Sequence, residues 1–150
     1  MTTPPSISPA RHEWIRAFPL REKVALAGEI VFEYGRVRLL LRRSELPVVL
    51  TRLRGRRAST PAYADALAAK AAAVRLGRAI GRTLQYVPGD SRCLVRSLVL
   101  TSLLARRGID VKFVIGVAPG PEFKAHAWVE SDGLPLLPSL DDEHERLVEL

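Results

Sequence analysis

Cys93 and His126 are the residues of this chain whose types and surroundings suit covalent chemistry. Cys93 is the sole cysteine. Asp90 and Ser91, just before it, are good helix N-cap residues. An apolar pattern of period 3.6 follows at once: Leu94, Val95, Leu98, Val99, Leu103 and Leu104. The spacing predicts a helix from near Arg92 to about Arg107, stopped by Gly108. Cys93 then sits in the first turn, where unpaired backbone N–H groups and the helix dipole favour a thiolate. Arg92 and Arg96 add positive charge. His126 lies 33 residues on, in the alternating run 125–130, which leads into the hairpin signal Asp132-Gly133. That run predicts a strand. A cysteine opening a helix and a histidine on a following strand form a nucleophile-and-base arrangement. Each half also has an inert reading: a buried small hydrophobe for Cys93 and a structural histidine for His126.

Several elements must position this pair. Pro19 to about Arg43 has the period of a long amphipathic helix, through Val24, Leu26, Ala27, Ile30, Val31, Tyr34, Val37, Leu40 and Leu41. Gly28 and Gly35 weaken it and signal either close helix packing or a break. Arg36, Arg38, Arg42 and Arg43 load its C-terminal end, where positive charge suits the dipole. Ser44 caps a short helix through Leu50, with Pro47 in its first turn. Residues 52–60 form a basic loop, the best linker in the chain. Thr60-Pro61 is a helix start of the cap-then-proline kind, and the alanine-rich run 62–86 predicts a tightly packed helix that Pro88-Gly89 ends. After Gly108 the period falls to two. Val111, Phe113, Ile115 and Val117 predict a strand buried on at least one face. Pro119-Gly120-Pro121 forces a loop. Residues 134–137 return as a strand that Pro135 confines to an edge. The acidic tail, residues 141–150, reads as a short helix or a partner-binding segment. Residues 1–9 read as an extended or disordered lead-in, and Trp14 as a packing anchor.

A length of 150 residues suits one domain with a helical extension. We divide it into an N-terminal helical region, 1–58, and a core, 59–150. The apolar fraction of 47% suffices for a core, and no apolar run has the length of a membrane span. The N-terminus lacks the basic-then-apolar pattern of a secretory signal. A lone cysteine excludes an internal disulfide and a cysteine-only zinc site, and points to the cytoplasm. The formal net charge of +7, mostly arginine, suits nucleic acid, an acidic peptide or an acidic partner. Nothing supports the first: there is no aromatic-interleaved basic patch, Gly-rich phosphate loop or zinc-finger spacing.

Helices first, then a cysteine helix on a small antiparallel sheet, is the order of papain-like and transglutaminase-like cores. The expected fold class is therefore α+β, with an N-terminal helical region. The run from Cys93 through Leu100, then residues 103–109, Ile115-Gly116-Val117, residues 125–130 and Asp132-Gly133 together resemble a known family. It is the transglutaminase-like cysteine peptidases of lasso-peptide biosynthesis. The resemblance covers about residues 91–133. It implies a stand-alone peptidase that cleaves the leader from a ribosomally made precursor, beside a separate leader-recognition protein and a cyclase. It calls for no cofactor, metal, nucleic acid or membrane.

In this reading Cys93 attacks the scissile carbonyl to form a thioester, and His126 handles the proton. The Cys93 backbone N–H donates to the oxyanion. Gln85, eight residues before Cys93, is the candidate second donor; its other reading is a surface residue at a helix end. The acid that orients the histidine departs from the family pattern. The family tends to place an Asp about twelve residues after the histidine, and that position is Pro138, with Ser139 next. Glu130 and Asp132, at roughly 3.3 Å per residue, lie about 13 and 20 Å from His126. A two-residue hairpin loop sets Ser131 opposite Leu134 and His126 opposite Ser139, which makes Asp141 the nearest acid on the return segment. Asp141 is thus the third expected catalytic residue, with Ser139 or a backbone carbonyl as substitutes. Trp128, on the same face as His126, either shields the pair from water or packs. Two other functions use the same residues: a non-catalytic peptide-binding module and an acyl transferase.

Overall fold

The computed structural model of the chain describes residues 19–60, 62–87, 92–118, 124–137 and 145–150. α1 spans Leu20–Arg43, with Pro19 at its N-cap and Glu22 in its first turn, where a carboxylate suits the dipole. It runs unbroken through Gly28 and Gly35, and nothing packs closely against either glycine. Both expectations for those glycines therefore fail: they weaken the helix without shaping its core contacts. α2 spans Leu46–Arg54, with Glu45 rather than Ser44 at its N-cap and Pro47 in its first turn. It runs past the expected end at Leu50 because Leu53, fully buried, continues the stripe of Val49 and Leu50. The first three residues of the expected basic loop, 52–54, are thus helix.

α3 spans Ala66–Leu84 and starts four residues after the expected Ala62. Asp65 is the better cap: its carboxylate accepts from the Ala68 N–H at 2.7 Å. The stretch before it is drawn instead to the end of the next helix, where Ala58 and Ala62 N–H groups donate to the Ala105 and Arg107 carbonyls. That helix, α4, spans Arg92–Ala105. It ends in a Schellman motif. Gly108 (φ 73°) donates to the Ala105 carbonyl and Ile109 to that of Leu104, and the glycine takes the left-handed conformation the motif demands. The expected caps Asp90 and Ser91 lie outside the described residues, as does the 119–121 loop.

The sheet has strands β1 (Lys112–Ala118), β2 (Lys124–Ser131), β3 (Leu134–Pro135) and β4 (Glu145–Glu149), in the order β3-β2-β1-β4 with antiparallel neighbours. Asp132 and Gly133 both take positive φ, 51° and 75°, as a two-residue hairpin requires, and Ser131 pairs with Leu134. β3 lies at the edge, where Pro135 is tolerated. The described part of the acidic tail is β4, not the expected helix. β1 leaves one edge unpaired by β2, and residues 145–149 fill it. Phe113 and Val114 are adjacent and both fully buried, so β1 is covered on both faces.

The fold is α+β, with α4 at its centre. Residues 97–104 of α4 are all buried, with no solvent face. Ile30 and Val37 of α1, Val49, Leu50 and Leu53 of α2, Leu76, Ile80 and Leu84 of α3, and Phe113, Ala127 and Val129 of the sheet join α4 in one apolar cluster. A helix buried on every side is the core itself. The helices are also tied to it by polar contacts. Glu33 of α1, fully buried, accepts from the Ser102 hydroxyl of α4 and pairs with Arg36. Glu29 pairs with Arg107 at 2.8 Å. Among the described residues no buried side-chain polar atom lacks a hydrogen-bond partner, and no helix is long and apolar enough to cross a membrane.

Two consequences are measurable. Gly77 of α3 lies so close to the segment after β3 that a methyl there would meet the Leu136 carbonyl oxygen at 2.2 Å. Gly77→Ala should therefore destabilise by about 1–3 kcal/mol in a denaturant melt, although alanine is the better helix former by ~1 kcal/mol. Burial pushes the Glu33 carboxyl up, but the hydrogen bonds from Arg36 and Ser102 and the charges of Arg36 and Arg56 outweigh it. The net pKa lies below the ordinary 4.5. Its contribution is then complete above pH 4.5 and lost as pH falls through the lower folded value. Glu33→Gln should cost about 2–3 kcal/mol at neutral pH and flatten the acid limb of the stability profile below pH 4.5.

Candidate active site

Cys93 is the second residue of α4 and is half-buried. An N–H at that position has no acceptor within the helix, so it is one of the donors a first turn leaves over. The position of the helix is set one turn further on. Ser97, fully buried, donates its hydroxyl to the Ala127 carbonyl of β2 at 2.9 Å. Residues four apart share a helix face. The turn after Cys93 is thereby fastened to the residue after His126.

Arg96, one turn after Cys93, also reaches α3. Its guanidinium donates to the Leu84 carbonyl at 2.7 Å, satisfying the C-terminal end of α3. The same bond holds the end of α3 against the first turns of α4. Gln85, the C-cap of α3, follows directly on Leu84, and its side chain is exposed.

β2 divides its residues by the pleat. Ala127 and Val129 join the core with Phe113. His126, Trp128 and Glu130 form the alternate set. The His126 and Trp128 rings stack at 5.8 Å between centroids, 18° from parallel. The Trp128 indole N–H donates to Glu130 at 2.7 Å, and Glu130 is itself buried. The expectation that Glu130 is too far to touch His126 is compatible with this bond: Glu130 reaches the indole that lies against the imidazole. Trp128 thus contacts His126 and packs as well.

Sequence reasoning passed over two contributors. Ser97 stands inside the apolar helix pattern, and a hydroxyl there needs a partner when buried; that was the available signal. Gly116 faces His126 across the β1–β2 ladder. The β1–β4 register also shifts between Ile115 and Gly116. A glycine inside a strand pattern is the usual trace of such a bulge. On β1, Gly116 places no side chain opposite the imidazole. Asp141 and Ser139 lie outside the described residues. A cleft lined by Tyr63, Lys70, Ile109 and Asp132 sits at the far end of α4, about 20 Å along the helix from Cys93.

Chemically, this is a thiol in the first turn of a helix that is fastened to the strand of a histidine stacked on an aromatic ring. It requires no metal or cofactor for nucleophilic attack on a carbonyl. Residues 36–149 match the family model described as the transglutaminase-like superfamily. No curated protein and no solved structure matches the chain.

If the Ser97 bond fixes α4 on β2, Ser97→Ala should cost about 1–2 kcal/mol, because it removes the Ala127 carbonyl's hydroxyl donor. Thr101→Val is the control. The Thr101 hydroxyl returns to the Ser97 carbonyl of its own helix, so this change should cost less than Ser97→Ala. Urea melts of the two variants against wild type provide the comparison.

Proposed function

Because the chain belongs to the transglutaminase-like superfamily, with a fold of the cysteine-peptidase and acyl-transferase type, we propose that it is a cysteine peptidase that removes the leader from a lasso-peptide precursor. The observation that carries the reading is the Ser97–Ala127 bond, which ties the cysteine helix to the histidine strand. His126 takes the proton of the Cys93 thiol, and the thiolate attacks the scissile carbonyl. The Cys93 N–H donates to the oxyanion that forms. The C–N bond then breaks, and His126 returns its proton to the departing amine of the core peptide. The leader remains as a thioester on Cys93. Water, deprotonated by His126, hydrolyses it and releases the leader carboxylate and the thiol. Asp141 accepts from the other imidazole nitrogen and holds the tautomer. The freed core amine is what a lasso cyclase consumes in closing the macrolactam.

The chemistry belongs to residues 59–150, and docking to residues 1–58. The partners are the precursor's leader and a separate leader-recognition protein. The setting is the cytoplasm, where a lone thiol stays reduced.

The test is cleavage of the precursor encoded beside this gene, with and without the neighbouring recognition protein, followed by mass spectrometry. Wild type should release an intact leader ending in a free carboxylate. Cys93→Ala should lower the rate about a thousandfold or more with thermal unfolding little changed. Normal cleavage by Cys93→Ala would sink the reading. Silence from wild type under both conditions, with a thiol that resists alkylation, would instead favour a peptide-binding module. Transfer of the leader to an added amine would make the enzyme an acyl transferase.

A further inference from the structure

The outward face of α1 carries apolar side chains that the fold leaves in solvent. Leu20 is 76% exposed, Phe32 69%, Val24 62%, Val31 54% and Leu39 46%. At 3.6 residues per turn these fall within about a third of the helix circumference, opposite Ile30, Glu33 and Val37, which enter the core. Gly28 and Gly35 lie in the middle of the same arc, and a methyl on either would meet no atom within 4 Å. The two glycines are about 10 Å apart along the axis. They leave two notches between Val24, Val31, Phe32 and Leu39. A seven-residue interval is also the one at which a second helix offers successive knobs. Each end of the arc carries an exposed arginine, Arg21 and Arg42, about 31 Å apart along the helix.

The charges select the occupant. A second copy would set arginine against arginine whether the two α1 helices ran parallel or antiparallel. Residues 1–18 of the chain carry Arg11 and Arg16 against Glu13, so they offer the wrong sign as well. A helix made to lie on an anionic bilayer carries basic residues along its flanks that are free to meet headgroups; here Ala25, Ala27 and Glu29 flank the first half of the arc, and the flanking Arg36 and Arg38 are bound to Glu33 and Tyr34 of the same helix. We propose that this face docks an amphipathic helix of a partner protein, one with large apolar residues at seven-residue spacing and an acidic residue near each end. Its apolar residues fill the notches at Gly28 and Gly35, and its acids meet Arg21 and Arg42. The proposal stands on the α1 surface alone and does not need the peptidase chemistry.

The test uses the full chain carrying Cys93→Ala, so that its outcome is independent of catalysis. The probe is a labelled synthetic helix with leucines at heptad spacing and glutamates at both ends, beside a twin with lysines at both ends; binding is read by fluorescence anisotropy. The glutamate-ended probe should bind at least about tenfold more tightly than the twin. Adding Phe32→Glu should weaken it about tenfold or more while leaving the melting temperature unchanged. Adding Arg21→Glu and Arg42→Glu together should reverse the preference between the probes. Equal binding of both probes, binding that Phe32→Glu leaves intact, or binding of neither would overturn the proposal. So would a dimer in sedimentation that Phe32→Glu dissolves, which would assign the face to a second copy. Capture by phosphatidylserine vesicles without peptide binding would assign it to lipid.

Discussion

One hydrogen bond, from the Ser97 hydroxyl to the Ala127 carbonyl at 2.9 Å, sets where the cysteine helix lies on the histidine strand. Apolar packing alone tolerates sliding, because Leu98, Leu103 and Leu104 present similar surfaces to Phe113, Ala127 and Val129. A buried hydroxyl does not, because its bond is lost within a fraction of an ångström. α4 is surrounded, so each polar group on it has to be matched from a particular direction. Ser97 is matched by the sheet, Ser102 by Glu33 of α1, and Thr101 by its own helix. These bonds turn a greasy rod into an element with one register.

The arginines of the chain serve the same end. Arg36 neutralises the buried Glu33, Arg107 and Arg106 clasp Glu29, and Arg96 closes the end of α3. Arg54 reaches the carbonyls of Val111 and Leu150, where β1 and β4 meet. Arg38 donates to the Tyr34 hydroxyl and lies over its ring. These contacts leave the net charge of +7 unchanged. These six of the 23 basic residues are engaged within the fold.

Around His126 the sheet gives up regularity. Gly116 stands opposite, and the β1–β4 pairing shifts register beside it. The ring rests on Trp128, which Glu130 holds in turn. Rigid support on one side and a missing side chain on the other form a setting in which an imidazole keeps its orientation while a backbone approaches.

Features that depend on neighbouring residues were legible in the sequence. The limits of α1, the start of α4 at Arg92, its stop at Gly108, the Asp132-Gly133 hairpin and the edge position of Pro135 all follow from local geometry, which a few adjacent side chains decide. The pairing of Trp128 with the face of His126 follows from the two-residue period of a strand. What depended on distant partners was not legible. α2 runs to Arg54 because Leu53 finds a core. Asp65 caps α3 because the chain before it is held by the end of α4. The acidic tail becomes β4 because β1 leaves an edge, a fact about the sheet and not about residues 145–149. Arg96 and Ser97 are adjacent in sequence, yet one serves α3 and the other β2. Where the chain turns and which residues are apolar can thus be read from short stretches alone. Which distant polar groups meet is settled only by packing, because a hydrogen bond is specified by both of its ends, and for Ser97, Ser102 and Arg96 the second end lies on another element.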